Sequence, residues 1–420
     1  DVAILNGYPG SIAASWQRLG RAGRRMRPSL GILVASSQAL DQYVVRHPEF
    51  FESASPETAR IAPDQLLILL DHIRCAAFEL PFASGDRFGG AIADDFLEVL
   101  AESGVLHREG ERWDWIADSY PAQAVSLRSV ADGNFVVVDR TDGRQTIIAE
   151  VDYSSAALTL YEGAIYMIQS QPFQVEKLDW EGRKAFVTRT HADYYTDAID
   201  YTKLKVLERF DGSKSGSGIC HHGEVHVVRR VSGYKKIRFY SHENIGYGPV
   251  NLPDQELQTS AVWWQLEQGT LESAFASRQD ALDGFLGAAY ALHTVASLSV
   301  MAEARDLQKA VGSGDAAFFA TQDQLGRGQW RNAEGKVEDP EQTVAFNPTV
   351  YLYDNFPGGI GLSEPLFRRA AELIAKSRDL VSGCSCSVGC PACVGPVLAG
   401  DETGARSARC LALAVLDLLA

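Results

Sequence analysis

The stretch CSCSVGCPACVGP, Cys384 to Pro396, places four of the chain's seven cysteines within ten residues. Their spacing is Cys384-x-Cys386-x3-Cys390-x2-Cys393. Gly389 and Pro391 permit the tight turns that bring thiolates together. Four thiolates suit a closed tetrahedral zinc site, with no open position for chemistry. Such an ion folds a loop too small to have a core of its own. An iron–sulfur cluster also takes four cysteines, and two local disulfides are the plainest alternative. The remaining cysteines, Cys75, Cys220 and Cys410, are scattered, unlike a secreted disulfide scaffold. A reducing, cytoplasmic setting is therefore expected. Cys75 and Cys410 fall on apolar helix faces and read as core. Cys220, in CHH (Cys220–His222), reads as structural, with a stray metal as the alternative.

Outward from this loop, residues 256–420 read as a mixed, mainly helical region. ELQTSAVWWQL (Glu256–Leu266) reads as a strand. RQDALDGFLGAAYALHTVASLSV (Arg278–Val300) reads as a long helix rich in small residues. NPTVYLYDNFPGGIGL (Asn347–Leu362) is a strand entering a glycine-rich turn. Gly358, Gly359 and Gly361 superficially resemble a phosphate cradle. They read better as a tight turn in which Asp354 caps backbone amides. SEPLFRRAAELIAKSRDLVSG (Ser363–Gly383) is expected as one helix, capped by Ser363, with Pro365 in its first turn and Gly383 closing it. RSARCLALAVLDLLA (Arg406–Ala420) is a terminal helix.

Residues 119–255 hold a series of short apolar runs separated by Gly, Asp or Pro, the pattern of a small β-barrel or sandwich. DGSKSGSG (Asp211–Gly218) reads as a flexible loop tip. Residues 53–118 carry helices followed by a hairpin, VLHREGERWDWI (Val105–Ile116), turning at Glu109-Gly110. That is a winged-helix pattern, in which alternation makes one of Trp113 and Trp115 core. DQYVVRHPEFF (Asp41–Phe51) reads as one short amphipathic helix. Residues 1–52 begin strand, turn, helix, strand, with Ser11 as the helix cap. Unbroken apolar strands in that order are parallel α/β material. The fold class is thus multidomain α+β.

A chain of 420 residues with 46% hydrophobic content is expected to form two to four globular domains. No apolar run reaches the ~18 residues of a membrane span. The chain opens without Met, inside an apparent strand, and without a signal peptide, so a piece of a longer protein is expected. Net charge is −15. This acidic balance argues against nucleic-acid binding by overall charge, but screening over ~10 Å leaves room for a local basic groove.

QRLGRAGRR, Gln17–Arg25, supplies local cations. Gln17, Arg21 and Arg24 can present a carboxamide and two guanidiniums near one helix end. Planar forked cations suit phosphoryl oxygens, as in nucleotide hydrolases. A solvated basic face is the plainer reading of Arg24-Arg25. RVSGYKKIRFY, Arg230–Tyr240, alternates basic and aromatic residues: Arg230, Tyr234, Lys235, Lys236, Arg238 and Tyr240. With Arg128 in SLRS, these are candidate contacts to single-stranded DNA, or a solvated strand face.

The arginine stretch resembles motif VI of superfamily 2 helicases, Gln/His-Arg-x-Gly-Arg-x-x-Arg, matched by Gln17, Arg18, Gly20, Arg21 and Arg24. The chain as a whole resembles the DEAD/DEAH-box helicases with a C-terminal four-cysteine domain, the mitomycin-repair helicases and their fungal RecQ-like relatives. HIRCAAFELP (His72–Pro81), YPAQAVSLRS (Tyr120–Ser129), GAIYMIQ (Gly163–Gln169), DYYT (Asp193–Thr196), GYKKI (Gly233–Ile237), LQTSAVW (Leu257–Trp263) and YDNFPGGIGL before the cysteines carry the resemblance. It implies that residues 1–52 end a second RecA-like lobe, and that Arg21 and Arg24 are arginine fingers. It implies structural zinc on Cys384, Cys386, Cys390 and Cys393, ATP and magnesium held by upstream lobes, and 3′ to 5′ movement on single-stranded or partly duplex DNA in DNA repair. It further implies a bacterial, nucleoid-associated protein with a possible repair-protein partner and no membrane contact.

The sequence contains no G-x-x-x-x-G-K-[ST] and no DEAD/DEAH box, so this chain alone is not expected to hydrolyse ATP. A helicase serving phage defence, a non-enzymatic DNA-binding or docking module, and a redox sensor are the competing readings. The last lacks a nearby Lys or His to lower a thiol pKa.

Overall fold

The computed structural model describes residues 1–23, 28–53, 65–123, 125, 133–241, 243–302, 306–313, 330–331, 337–338, 347–395 and 407–420. Arg24 and Arg128 lie outside the described residues.

The opening unit is parallel, as expected, although most residues of its two strands are exposed. Strand β1 (Val2–Asn6) pairs with β2 (Leu30–Val34) in register Val2↔Leu30 to Asn6↔Val34, with helix α1 (Ile12–Leu19) between them. The Ser11 hydroxyl accepts from the Ala14 amide at 3.1 Å, as the cap reading expects. Buried Asp41 fastens the ends of both strands, accepting from the amides of Tyr8 (2.8 Å) and Ser36 (2.7 Å). The single helix expected over Asp41–Phe51 is two, α2 (Ala39–Arg46) and α3 (Pro48–Glu52). Pro48 excludes the helical conformation from the residue before it, and His47 accordingly sits at φ −122°, ψ 66°.

Helix α4 (Leu66–Glu79) is capped by the Gln65 side chain. Strands β3 (Phe82–Ala83), β4 (Arg87–Phe88) and β5 (Ala91–Ile92) follow. Helix α5 (Asp94–Glu102) follows directly on β5, whose Ala91 and Ile92 pair with Phe88 and Arg87. Strands β6 (Leu106–Glu109) and β7 (Arg112–Trp115) form the expected hairpin, completed by β3 in the order β3-β7-β6. Trp113 is core together with Ile73 and Leu97. Trp115 lies on the rim, 5.6 Å edge-on from Phe78.

Between residues 133 and 265 lie two sheets. The first has the order β10-β11-β12-β8-β9, from β8 (Asn134–Asp139), β9 (Thr146–Asp152), β10 (Ile165–Ile168), β11 (Gln171–Asp179) and β12 (Lys184–Arg189). Helix α6 (Tyr153–Thr159) covers a core of Phe135, Val187 and Tyr161. The second sheet is built on two long strands, β13 (Tyr194–Ser215) and β14 (Gly218–Arg238). Strand β13 lines one edge of β14, and the other edge is shared by β15 (Asn244–Pro249), along Gly233–Ile237, and β16 (Gln255–Gln265), along Ile219–Arg229. The described pairings are open paths, so the strands expected as a small barrel or sandwich form two open sheets and no closed barrel among the described residues. The second runs beyond residue 255: its order is β13-β14-β16-β20-β17, with β17 (Leu307–Ser313) and β20 (Pro348–Asp354), while β18 (Trp330–Arg331) and β19 (Val337–Glu338) pair separately.

The segment expected as a loose tip, Asp211–Gly218, is instead the paired end of the β13–β14 ribbon. It is also fastened: the Ser217 amide donates to the Leu418 carbonyl (2.7 Å) and the Ser215 hydroxyl to that of Leu419 (2.8 Å). These are carbonyls of a helix end that has no further turn to satisfy them. Two bulges, at Leu207 and Phe210, interrupt the outer strand β13, and a third register shift puts the extra residue Ser232 in β14; bulges are a common defence of a sheet edge.

Helix α7 (Gln268–Glu272) leads into α8 (Arg278–Val300), which matches the expected span and is largely buried. Its small residues let the terminal helix (Ala408–Leu419) approach closely: a Cβ on Gly284 would stand 2.7 Å from the Leu411 carbonyl oxygen. The helix expected over Ser363–Gly383 is two, Ser363–Arg368 and Ala370–Ser382, broken at Arg369. Leu362, not Ser363, is the cap, and Ser363 is buried with its hydroxyl 3.3 Å from His222 Nε2. Cys410 is exposed, contrary to its reading as core, and Cys75 is half-buried. Among the described residues no helix is long and apolar enough to cross a membrane.

Candidate metal centre and nucleic-acid face

The helix Ala370–Ser382 delivers the chain directly into the cysteine loop. The Cys384 amide still reaches the Val381 carbonyl (3.4 Å). Across the loop, the amides of Cys393 and Val394 both donate to the Cys390 carbonyl, at 3.0 and 3.1 Å, folding the x2 pair into a tight turn. Gly389 takes φ +121°, and a Cβ there would meet Val394 Cγ2 at 2.9 Å. The sequence reading thus placed the turn residues correctly.

The four Sγ atoms lie within 4.8 Å of one another. The shorter separations are 3.6 Å (Cys384–Cys390), 3.5 Å (Cys386–Cys393) and 3.7 Å (Cys390–Cys393). Sulfurs ~2.3 Å from a central zinc form a tetrahedron with edges of about 3.8 Å. A disulfide needs ~2.05 Å, so none of these contacts is one. An iron–sulfur cluster spreads its four thiolates over two or four irons and needs a wider cage than this. The donor set and its spacing therefore fit one closed, structural tetrahedral ion. Burial acts first on Cys384 and would raise its thiol, but hydrogen bonds from the Cys386 backbone and the neighbouring thiols hold it down at about 6. Burial pushes Cys393 up. Among the described residues these four form the one group of three or more His, Cys, Asp or Glu side chains able to share an ion. Cys220 and His222 gather no such group, and burial pushes the Cys220 thiol up.

The sequence reading missed Arg409. Its guanidinium donates to three carbonyls, those of Val381 (3.1 Å), Ser382 (2.7 Å) and Cys386, and its amide donates to Val388 (3.0 Å). One side chain thus ties the terminal helix to the end of the preceding helix and to the cysteine loop. A signal was present: a cation in the first turn of a helix opposes the helix dipole and needs another reason to be there.

Asp354 behaves as expected of a turn cap. It is fully buried and accepts from the amides of Ile360 (2.8 Å) and Leu362 (3.1 Å) and from the Ser260 hydroxyl (3.3 Å). Burial raises its pKa and the donated amides oppose that rise. The Gly358 and Gly359 amides are spent on the carbonyls of Gln258 and Phe356. The glycine turn therefore binds its own carboxylate and is no phosphate cradle. Gln65, also missed, donates to the Pro357 carbonyl at 2.6 Å and so links the start of α4 to this turn.

Of the arginine-motif residues, Gln17 and Arg21 are exposed near the end of α1, and Arg18 and Arg21 line a surface hollow beside β1. Of the candidate DNA contacts, Tyr234 requires correction. Its ring is buried against Tyr161, with centroids 5.0 Å apart, and is not open to a base. Its place in the strand alternation faces the core of the first sheet, which composition alone did not reveal. Arg230 is held by both oxygens of Asp254 at 2.6 Å. Lys235 is half-buried opposite Asp197 and Tyr247. Lys236 stands 5.5 Å over the Tyr194 ring. Arg238 is exposed, with Asp193 and Glu243 carboxylates each 3.6 Å away.

Two family models match, described as the MrfA Zn-binding domain (residues 288–394) and as the winged helix domain of the ATP-dependent helicase HRQ1 (residues 61–130). The chain is 39% identical over 407 residues to an ATP-dependent helicase, YprA, of Bacillus subtilis, covering 97% of this chain and 50% of that protein. It is 27% identical to the ATP-dependent helicase HRQ1 of Saccharomyces cerevisiae, over 94% of this chain and 36% of that protein. A crystal structure of the DUF1998 helicase MrfA bound to DNA superposes with a TM-score of 0.60 at 38% identity, over 100% of this chain and 52% of that one. A second, of MrfA bound to DNA and AMPPNP, gives 0.54 at 37% identity, over 99% and 50%. The chain thus spans about half the length of YprA and of the MrfA chains, and less of HRQ1.

Proposed function

The chain is homologous to the YprA, HRQ1 and MrfA helicases, matching their C-terminal region, and on that premise we propose that it is the C-terminal part of an ATP-dependent DNA helicase that moves along single-stranded DNA in DNA repair. The observation that carries the reading is the four-thiolate loop: its sulfur spacing fits one tetrahedral ion, and it lies at the end of the segment that matches a zinc-binding family model.

Cys384, Cys386, Cys390 and Cys393 would hold the zinc, which supplies folding energy and no chemistry. Arg21, together with Arg24 and Gln17, would face the transferred phosphoryl group of an ATP bound with magnesium by upstream lobes. A guanidinium there stabilises charge that develops as the phosphoryl group leaves. Lys235, Lys236, Arg238 and Arg128 would contact the phosphates of single-stranded or partly duplex DNA. Residues 1–52, 53–118, 119–255 and 256–420 serve as the end of the second RecA-like lobe, the winged-helix module, the β-rich domain and the zinc domain. The setting is the bacterial cytoplasm at the nucleoid, with a repair protein as a possible partner. Service in phage defence would use the same residues and is separated only by the DNA on which the protein acts.

The test is DNA-stimulated ATP hydrolysis by the full-length protein. Arg21→Ala is expected to lower kcat by about 10³-fold or more while DNA binding is retained. An unchanged kcat would reject the arginine-finger role.

A further inference from the structure

We propose that Tyr240 is a base-stacking residue for single-stranded nucleic acid, held outward at the end of a short basic row formed by Lys236 and Arg238. The proposal rests on the DNA-binding reading above and extends it to one residue and one kind of contact.

The backbone at Tyr240 is unusual. Strand β14 ends at Arg238 and β15 begins at Asn244. Between them the Ser241 amide donates to the Phe239 carbonyl at 2.8 Å, and the residue in the middle, Tyr240, has φ +68°. A hydrogen bond from i+2 to i around a positive φ is a γ-turn of the rare, strained kind. Glycine would enter it freely, whereas a bulky side chain there is an outlier. The turn is pinned on both flanks: the Phe239 amide donates to the Asp193 carbonyl (3.0 Å), and the Arg238 amide to that of Glu243 (2.9 Å). Phe239 is anchored further by Tyr195, with ring centroids 5.7 Å apart.

The ring gains nothing from the fold in return. Tyr240 is 99% exposed, more than any other large hydrophobic among the described residues. A side chain both strained and wholly solvated is neither core nor ordinary turn chemistry, and strain kept in place by its surroundings marks functional positions. Tyr234, six residues earlier, shows the opposite treatment, with its ring buried.

The neighbours select the ligand. Lys236 and Arg238 alternate onto one face of β14, about 7 Å apart along the strand, and Tyr194 lies opposite Arg238 with its ring under Lys236. The carboxylates beside Arg238 are exposed and 3.6 Å away, so their pairing is weak in water and can give way to phosphate. Cations spaced along a strand with an aromatic at the end suit a polyanion with flat apolar bases. Stacking of this kind tolerates any base.

The test is fluorescence anisotropy of the zinc-loaded protein with labelled oligo(dT) and with an abasic strand of equal length. Wild type is expected to prefer the strand that has bases. Tyr240→Ala is expected to weaken oligo(dT) binding about 5- to 150-fold and to abolish the preference, while the salt dependence keeps its slope. Tyr240→Phe should retain both. Tyr240→Gly should lose the preference and keep or raise Tm, since glycine relieves the turn. If wild type binds oligo(dT) and Tyr240→Ala binds it equally well, or if Tyr240→Gly lowers Tm, the stacking role is overturned and the DNA-binding reading survives. If wild type binds neither strand, both fall together.

Discussion

The guanidinium of Arg409, in the first turn of the terminal helix, donates to the carbonyl of Cys386 inside the four-cysteine loop. The same group also holds the Val381 and Ser382 carbonyls in the last turn of the preceding helix. The loop is therefore braced from outside its own sequence, by a residue beyond the segment that follows it.

Replacing Arg409 with alanine should loosen the loop without removing a ligand. Metal affinity is expected to fall by about 10- to 100-fold, the usual effect of losing a partner that orients ligands. Competition with a chromophoric chelator measures it. Arg409→Lys should recover only part, because one ammonium cannot span three carbonyls in fixed directions.

Cys390→Ser removes a ligand outright. Elemental analysis of the wild-type protein should give about one zinc per chain, and the variant should lose both the metal and the thermal transition of the region around the long helix α8. Iron in the wild-type protein would refute the zinc assignment.

Asp354 should make stability depend on pH in a stated direction. Burial raises its folded-state pKa above 3.8, so the native protein holds this proton more tightly than the unfolded chain does. Its contribution to stability is present below pH 3.8 and is lost as pH rises through the folded value. Asp354→Asn keeps an acceptor for the Ile360 and Leu362 amides and removes the buried charge, so this part of the pH dependence should vanish. Asp354→Ala orphans those donors and should cost about 2–4 kcal/mol. Urea unfolding followed from below pH 3.8 up to neutral pH separates the two.

Gly284→Val should be among the more damaging core changes. The added Cβ meets the Leu411 carbonyl oxygen at 2.7 Å, and backbone cannot swing away as a side chain can. Overpacking typically costs about 1–3 kcal/mol, read as a lowered urea midpoint with unchanged slope.

Asp41→Ala should free the Tyr8 and Ser36 amides to exchange with solvent, because their acceptor is gone. Native-state hydrogen exchange at these two positions is the direct readout. Unchanged protection would mean that the strand ends are held by something other than the carboxylate.

Local chemistry was legible in the sequence, and long-range partnership was not. The Ser11 cap, the span of α8, the Trp113/Trp115 alternation and the cysteine turn are each set within a few residues, and each was read correctly. The break at His47 is also local, set by Pro48 after it. The joining of short apolar runs into β13 and β14 depends on pairing across more than forty positions, from Tyr194 to Arg238. The burial of Tyr234 depends on Tyr161, which lies in another sheet's core. Arg409 acts through carbonyls, which carry no signature of their own in a sequence.

The β13–β14 ribbon has a mechanical consequence. Its 21 residues of β14 extend about 70 Å along the chain. One end is riveted to the last carbonyls of the terminal helix, whose other end braces the cysteine loop. The opposite end carries Tyr240 in its strained turn. Such a beam is stiff along its length, so a small tilt at the riveted end becomes a large sweep at the tyrosine. Force applied at the tyrosine would in turn be felt as torque on the terminal helix.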